Sequence, residues 1–599
     1  MINQILQVIA KAASPSERVE IFFQALSEQS NDILLQRETE WIKHVTGSNT
    51  LFQEILQARG ISTEAFKKQL YNVKVAEPER LPQWAEVIVE LMNPATFTGN
   101  PLEPFQSQVN QNKKVELPYQ NAFQPFLRLA KQQLETWVSS CNFQVSATAK
   151  RKMLGSLLRR FYTVSSQTLT YKLDLLDVLV TGHGKIGYSV YDVFLSQPQV
   201  SRSNWLEVFE LFPVLAKLLA VVYLNWRNST TEFLERLTGD YKLLTETFFS
   251  GEEPGQLEDI NLNAGDVHNQ GRTVIIATFA NDKKLVYKPK NLSIACSFME
   301  LLNFLNSTGQ ILPLHTRKIL PRFGYAWEEY VEFACCKNTN EIRYFYHRIG
   351  MILRLLQLLQ GRDFHCENLI AFGDHPVLID LENLFQPSVK NFSAKLAIEE
   401  KIFNRLDSSA LSVGIISAKE YGEVGCRNID FGVLAQGQEQ VSPYKVTKVE
   451  TLETGEVRIV NDFVSFQVTN CLPYLQGERA NPQDYFDEIL TGYRAMNNCL
   501  SLNSEELSKE DGIIAKMAGM PIRFLYRSTS KYYRVMQESL APACLRDSIK
   551  REISIERLWK AYLKSYHPLE IIQSEIDAIR NLDIPFFKAL IGSWQLLVI

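Results

Sequence analysis

Asp363, His365 and Asn368 fall within one short stretch, Gly361-Arg362-Asp363-Phe364-His365-Cys366-Glu367-Asn368, and Asp380 and Glu382 follow in Ile379-Asp380-Leu381-Glu382. Polar side chains that close together can hold a hydroxyl and take its proton, and neighbouring carboxylates can hold a hard divalent cation. A phosphoryl-transfer site on a kinase plan needs both. One loop supplies an acid beside the acceptor hydroxyl and an Asn for magnesium, and the next hairpin supplies a further magnesium carboxylate. An isolated D-x-H-x-x-N is commonplace, since such residues usually cap helices or face water. The order of elements around it gives it weight. Residues 342–359 are apolar at helical spacing, and Gly361 is placed to stop that helix. Short apolar runs at 369–372 and 377–380 flank Gly373-Asp374-His375-Pro376, which reads as a hairpin turn, so Asp380 leaves the second strand facing a cleft.

Three other groups carry chemistry. In Gly265-Asp266-Val267-His268-Asn269-Gln270-Gly271 the glycines permit a tight turn, and a His beside an Asp can be held in one tautomer for proton transfer; the plainer reading is a turn with solvent-facing polar groups. Lys288 ends the run Val286-Tyr287-Lys288-Pro289-Lys290. A lysine projecting from a strand there can hold nucleotide phosphates, with Lys290 as the fallback if the register slips by two and Glu300 in the next helix as a candidate partner. The plainer reading is an edge-strand lysine. No G-x-x-x-x-G-K-[ST] and no G-x-G-x-x-G precedes it, so any phosphate cradle differs from those loops. Arg523, Arg527 and Thr529 lie together in Arg523-Phe524-Leu525-Tyr526-Arg527-Ser528-Thr529. On a helix the two arginines share a face, and a guanidinium pair suits a phosphate leaving group, or else an ordinary salt-bridged surface.

The elements that must position these groups change character along the chain. Residues 1–255 read as a helical N-terminal region, with a turn-rich break near 93–104 as a candidate boundary between two subdomains. From about 256 the pattern has period two: 273–279 and 284–287 form a hairpin, 293–305 a helix and 325–333 a strand or connector, giving a small unit to 337. A larger unit, 338–599, carries the Asp363 loop, a polar and irregular stretch with a mobile loop near 386–465, and C-terminal helices. The expected fold class is mainly helical α+β, two-lobed with a cleft between the lobes.

The 599 residues have 45% hydrophobic and 22% charged content and a formal charge of −4, which gives no reason to invoke nucleic acid or an anionic membrane. No stretch reaches transmembrane length, and the N-terminus lacks the pattern of a signal peptide. Nine scattered cysteines without a C-x-x-C favour reduced thiols in a cytoplasm and argue against a thiolate zinc site.

The motif order GDxHxxG, VYKP, GxDxHxEN, IDLE, RxxxRxT, across about 265–530, resembles the dehydratase half of class II lanthipeptide synthetases, the lantibiotic-modifying enzymes. The helical N-terminal half and Asp583-Ile584-Pro585-Phe586-Phe587 look similar more loosely. The resemblance implies a lipid-kinase-like core capped by extra helices. It implies binding of ATP and Mg2+, phosphorylation of Ser and Thr in a leader-bearing precursor peptide, and elimination of the phosphate to leave dehydroalanine or dehydrobutyrine. By the same resemblance, Lys288 holds ATP phosphates, Asp363, His365 and Asn368 form the catalytic loop, and Asp380 and Glu382 hold or order magnesium. Asp266, His268, Arg523 and Thr529 serve elimination, with Arg527 beside them. Full-length synthetases continue into a zinc cyclase. This chain ends at Ile599, near the expected dehydratase boundary, so neither zinc nor cyclisation is expected of it, and a separate cyclase stays open as a partner. The rival readings are a peptide or small-molecule kinase that never eliminates, and an inactive remnant that still binds a precursor peptide. Intact Lys288, Asp363, Asn368 and Asp380 argue against simple decay.

Overall fold

The computed structural model describes residues 2–598 apart from 21–25, 28–29, 74–80, 101, 104, 111–112, 182–200, 388–396, 422–427, 436–439, 443, 452–456, 467–469, 561–568 and 593–595. The described chain is mainly helical with small sheets, in agreement with an α+β class. Cys426 of the cysteine set lies outside the described residues.

The N-terminal region folds as helices, among them Ile2–Ala12, Asn31–Val45, Asn49–Ala58, Thr63–Gln69 and Gln83–Leu91, and a hairpin of Gln106–Asn110 with Lys113–Glu116 follows the turn-rich break. After a helix over Gln124–Ser139 come two long helices, α1 (Ala147–Thr181) and α2 (Pro213–Phe248), with Ser201–Leu211 between them. α2 carries apolar residues on most of its faces, and Leu215, Leu219, Tyr223, Trp226, Phe233 and Leu237 are all buried, as expected of a helix through the middle of a core.

The period-two stretch forms a sheet. Strands β1 (Leu257–Asn261), β2 (Ile275–Phe279) and β3 (Lys284–Lys288) are followed by helix α3 (Ser293–Ser307) and strands β4 (Ile319–Arg322) and β5 (Tyr325–Glu329). The order is β1-β2-β3-β5-β4, with every neighbouring pair antiparallel. Ile275, Ala277, Phe279, Leu285 and Tyr287 face inward, and Tyr287 meets Phe233 of α2 with ring centroids 5.4 Å apart. The sheet and the N-terminal helices thus share one buried apolar core.

Helix α4 (Thr339–Leu358) starts at Asn338, whose side chain accepts the Glu341 N–H. It leads through the candidate loop into a hairpin of β6 (Leu369–Phe372) and β7 (His375–Leu378), tighter than expected because Gly373 and Asp374 alone make the turn. α4 crosses helix α5 (Phe486–Leu502) at two glycines. A Cβ on Gly350 would stand 1.9 Å from the Ile489 carbonyl oxygen, and one on Gly492 1.8 Å from that of His347, so backbone rests on backbone there. The expectation that 386–465 is irregular fails for its described parts. They include a helix, Ala397–Asp407, and a six-residue hairpin of Val446–Thr451 with Val457–Asp462. The first of these strands is half-buried and the second, apart from Val457, largely exposed, so polar residues stand at many positions where an apolar alternation would have marked a strand.

Strand β8 (Pro521–Phe524), helices α6 (Thr529–Ser539) and α7 (Leu569–Arg580), and strands β9 (Phe587–Leu590) and β10 (Leu596–Val598) complete the chain, with β8-β9-β10 an antiparallel sheet. Arg523 and Arg527 therefore do not share a helix face. Arg523 is on a strand paired with Lys588 and Arg527 is in the turn before α6. The four-residue spacing misled because β8 is short and its partner is far along the chain. N- and C-terminal parts meet in a further core, where Trp41, Phe52 and Phe66 pack with Trp559, Ile572 and Ile576.

Candidate functional site

The loop after α4 is shaped by residues that tolerate unusual backbone. Gln360, not Gly361, takes the left-handed conformation that ends the helix, at φ 49°, and the Gly361 N–H then reaches back to the Leu356 carbonyl at 2.8 Å. Gly361 is needed for a different reason: a Cβ there would stand 2.7 Å from the ring of Phe364. Phe364 is buried and anchors the loop, while Asp363 beside it has φ 65°, a region that Asp enters more readily than most residues. The Asn368 amide donates to the Asp363 carbonyl at 2.7 Å, closing the loop on itself. The Asp363 carboxylate accepts from Asn383 at 3.3 Å and faces His365 Nε2 at 3.5 Å. His365 Nδ1 accepts the Glu367 N–H, which leaves the proton on Nε2, toward Asp363. Burial pushes the Asp363 carboxyl up. Burial alone would lower His365, but a side-chain contact with Cys366 and the Asp363 charge together raise it.

Asp380 and Glu382 leave β7 into a dense charge cluster. Lys290 Nζ lies 3.3 Å from both oxygens of Asp380 and 2.6 Å from Glu382 Oε2, and Arg523 Nη1 lies 2.9 Å from Glu382 Oε1. The Arg523 N–H also donates to the Glu382 carbonyl at 2.9 Å, which fixes β8 against the acidic segment. Burial opposes the Asp380 anion, yet the charges of Lys290, Lys288 and Arg523 hold it well below the usual carboxylate range. The donor chemistry fits a hard divalent cation: two carboxylates already converge on one cationic nitrogen. Among the described residues no group of three or more His, Cys, Asp and Glu side chains forms a metal-holding cluster.

Lys288 sits at the end of β3, as expected, but its partner is not Glu300, which is exposed on α3. Glu328 of β5 takes that place, 2.7 Å from Lys288 Nζ, and the ammonium also donates to the Ile379 carbonyl at 2.5 Å. In the antiparallel register Glu328 opposes Val286 and so shares the face of Lys288. Arg317 bonds the same carboxylate at 2.7 Å. Burial would raise Glu328, but Arg317 and Lys288 outweigh it and keep the carboxyl low.

His268 approaches the cluster from the turn before β2. Its Nδ1 is 2.7 Å from the Ile584 carbonyl, which only accepts, so Nδ1 carries the proton and Nε2 keeps its lone pair. The backbone carbonyl thus fixes the tautomer, not Asp266, which is exposed. Burial and the Arg523 charge push the imidazole down to about 4. The Phe586 ring lies against both partners, 5.2 Å from the His268 ring and 5.3 Å from the Arg523 guanidinium. The turn itself runs through Asn269, Gln270 and Gly271, all at positive φ. Asp583 accepts the N–H groups of Gln270 and Gly271, and Arg160 of α1 donates to the Gly271 carbonyl at 3.1 Å.

His268, Asp363, Asp380, Glu382 and Arg523 are thus brought within electrostatic reach of one another. Thr529 begins α6 and is half-buried. Arg527 turns elsewhere, to Glu575 of α7 at 2.6 Å. A cavity of about 580 Å³ lies along α6, lined by Tyr533 and Gln537 of that helix and by Lys445 and Arg557, among others. Glu328, Asn383 and Asp583, which bond to Lys288, to Asp363 and to the turn that carries His268, are not among the residues expected from the sequence. Asn383 directly follows the Asp380-Leu381-Glu382 run, and Glu328 is an acid within the aromatic run Tyr325-Ala326-Trp327-Glu328-Glu329-Tyr330, both visible in the sequence, whereas the burial of Glu328 is visible only in the fold.

The family described as "Domain of unknown function (DUF4135)" matches residues 212–589, more than half of the chain, and the chain belongs to that family. A lacticin 481/lactococcin biosynthesis protein, LcnDR2, of Lactococcus lactis subsp. lactis is 25% identical over 427 residues, which cover 67% of this chain and 43% of that protein. The chain spans less than half the length of this curated relative. No helix among the described residues is long and apolar enough to cross a membrane.

Proposed function

We propose that this chain is a lanthipeptide-modifying enzyme that dehydrates Ser and Thr residues of a ribosomally made, leader-bearing precursor peptide, using ATP, in the manner of a class II dehydratase. The observation that carries this reading is the adjacency of two sets of groups. The Asp363 loop with the Asp380–Glu382–Lys290 cluster suits phosphoryl transfer, and His268 with Arg523 suits elimination. Arg523, bonded to Glu382, joins the two. The likeness to a lacticin 481/lactococcin biosynthesis protein supports a peptide substrate of that class. We read the β1–β5 sheet and the part from α4 onward as the two lobes of a lipid-kinase-like core.

In the first step Asp363 accepts the proton of the substrate hydroxyl, whose oxygen forms a bond to the γ-phosphorus of ATP, and ADP departs. Lys288, held by Glu328, lies along the phosphates. Magnesium, held by Asp380, Glu382 and Asn368, would offset the negative charge on those phosphates. His365 orients Asp363. In the second step neutral His268 takes the α-proton through Nε2, the Cα–Cβ double bond forms, and the carbon–oxygen bond to phosphate breaks. Arg523 and Thr529 stabilise the departing phosphate. Asp266 stands beside this step. Arg527 acts through the fold of the turn before α6. The reaction belongs in a cytoplasm, where ATP is supplied, and a separate cyclase would consume the product.

The test is incubation of the purified chain with ATP, Mg2+ and a leader-bearing candidate peptide, followed by mass spectrometry. Loss of one water per modified residue supports the reading. A product that carries phosphate and never loses it identifies a kinase without elimination, and no change in any candidate peptide favours an inactive peptide-binding remnant.

A further inference from the structure

Lys290 stands out within the cluster. Lys288, two residues earlier, is committed to Glu328 and the Ile379 carbonyl, whereas Lys290 reaches both acids that suit a metal. Its backbone N–H bonds the Lys288 carbonyl at 2.8 Å across Pro289, so a tight turn separates the two ammonium groups and sends them to different acceptors. The Lys290 ammonium meets three carboxylate oxygens within 3.3 Å and is largely buried, with 16% of its side chain exposed. Arg523 occupies the remaining oxygen of Glu382. Asp380 and Glu382 are therefore already neutralised by two of the protein's own cations, and a divalent ion bound to the same oxygens must move one of them. Arg523 is tied by its backbone and by the Phe586 ring, whereas Lys290 lies on a flexible four-carbon stem.

We propose that Lys290 is a resident counter-ion that competes with the divalent cation for Asp380 and Glu382, and that it turns to the phosphates of the nucleotide when the metal enters. This rests on the metal reading of Asp380 and Glu382 above. Metal alone must break the ion pairs and leave the lysine without an acceptor. Metal arriving with a triphosphate supplies a new acceptor, so the two ligands help each other to bind. The arrangement also keeps the acidic pair ordered before any ligand arrives.

The experiment follows Mn2+ binding by the electron paramagnetic resonance signal of the free ion, using the whole chain, with and without a non-hydrolysable ATP analogue. Wild type, Lys290→Met, Lys290→Arg and Asp380→Asn are compared after thermal melts confirm that each is folded. Lys290→Met should tighten Mn2+ binding without nucleotide by about tenfold and reduce the help that nucleotide gives to Mn2+ by a similar factor. Lys290→Arg should resemble wild type. Unchanged or weakened Mn2+ binding in Lys290→Met, while Asp380→Asn abolishes it, overturns the role of Lys290 and leaves the metal reading standing. Mn2+ binding that ignores Asp380→Asn, or that is absent in every protein, overturns both.

Discussion

Asp583 accepts the Gly271 N–H at 3.0 Å across 312 residues of sequence, and so ties the end of the chain to the turn that carries His268. The same carboxylate takes the Gln270 N–H at 2.6 Å, and the next residue, Ile584, holds the imidazole itself. Three consecutive left-handed residues do not hold such a turn unaided. A Cβ on Gly271 would stand 2.7 Å from the Cβ of Asn225 on α2, so the N-terminal helices close it from the other side. Asp583→Ala should cost about 1–3 kcal/mol of stability by orphaning two amide donors. It should slow elimination more than phosphorylation, because His268 loses its position while the Asp363 loop does not. The measurement is the ratio of phosphorylated to dehydrated peptide over time; equal slowing of both steps would refute this role for Asp583.

The two arginines of the candidate elimination motif should behave differently. Arg527 pairs with Glu575, whose side chain is fully buried and also takes the Tyr532 hydroxyl at 2.6 Å. Arg527→Ala leaves that carboxylate buried without its guanidinium, still holding the Tyr532 hydroxyl, at a cost of about 3 kcal/mol, and should appear as a lower melting temperature. Arg523→Ala should accumulate phosphorylated peptide. Both variants are read by thermal melts and by product masses. An Arg527→Ala protein of unchanged stability, or an Arg523→Ala protein that dehydrates normally, would contradict these assignments.

The Asp363 loop and its flanks are legible in the sequence because every signal there is local: a helix, a stop, a polar loop and a hairpin follow one another without interruption between residues 339 and 380. The expectation still misplaced the stop by one residue, since Gln360 takes the left-handed turn and Gly361 answers the bulk of Phe364. Lys288 stands at the strand end where the spacing puts it, but its partner is not the expected one, because Glu328 comes from a strand pairing across the sheet rather than from the next helix. Arg523 could be recognised as a functional type but not placed on a strand, since its pairing strand, β9, lies far along the chain and a run of four residues carries too little periodicity. Lys290 entered only as an alternative for Lys288. Its closeness to Asp380 and Glu382 depends on how the sheet packs against the acidic segment, which no spacing encodes.

The two histidines predict separate pH dependences. The folded pKa of His268 is depressed to about 4 by burial and then by Arg523, below its ordinary value near 6.5. The folded protein therefore binds fewer protons here than the unfolded chain. The contribution of His268 to stability is complete above the unfolded pKa and is lost as pH falls toward the folded one. As a base, His268 stays neutral well into mildly acidic solution. With pre-phosphorylated peptide, elimination should hold its rate as pH falls through the ordinary histidine range and drop only near the folded pKa. His365 shifts the other way and keeps its proton to higher pH beside Asp363. Histidine ring signals followed by NMR across the same range assign each titration, and an elimination rate that halves near the ordinary histidine pKa would refute a buried neutral base.

Lys288→Met and Glu328→Gln separate charge from support. Lys288→Met removes the ammonium proposed to lie along the phosphates but leaves Glu328 paired with Arg317, so the sheet should stay folded. Phosphorylation should fall about 10²-fold or more, as when a fixed charge is removed from a transition state. Glu328→Gln keeps the ammonium but weakens its hold on the strand face, leaving the Ile379 carbonyl as the remaining fixed point. It also removes the carboxylate that balances Arg317 in a buried setting. It should lose less activity than Lys288→Met and more stability. The measurements are initial rates of phosphate transfer to peptide and melting temperatures for both variants. If Lys288→Met phosphorylates at the wild-type rate, Lys288 does not contact the nucleotide. If Glu328→Gln loses the greater share of activity while its stability is unchanged, Glu328 touches the reacting groups directly rather than positioning Lys288.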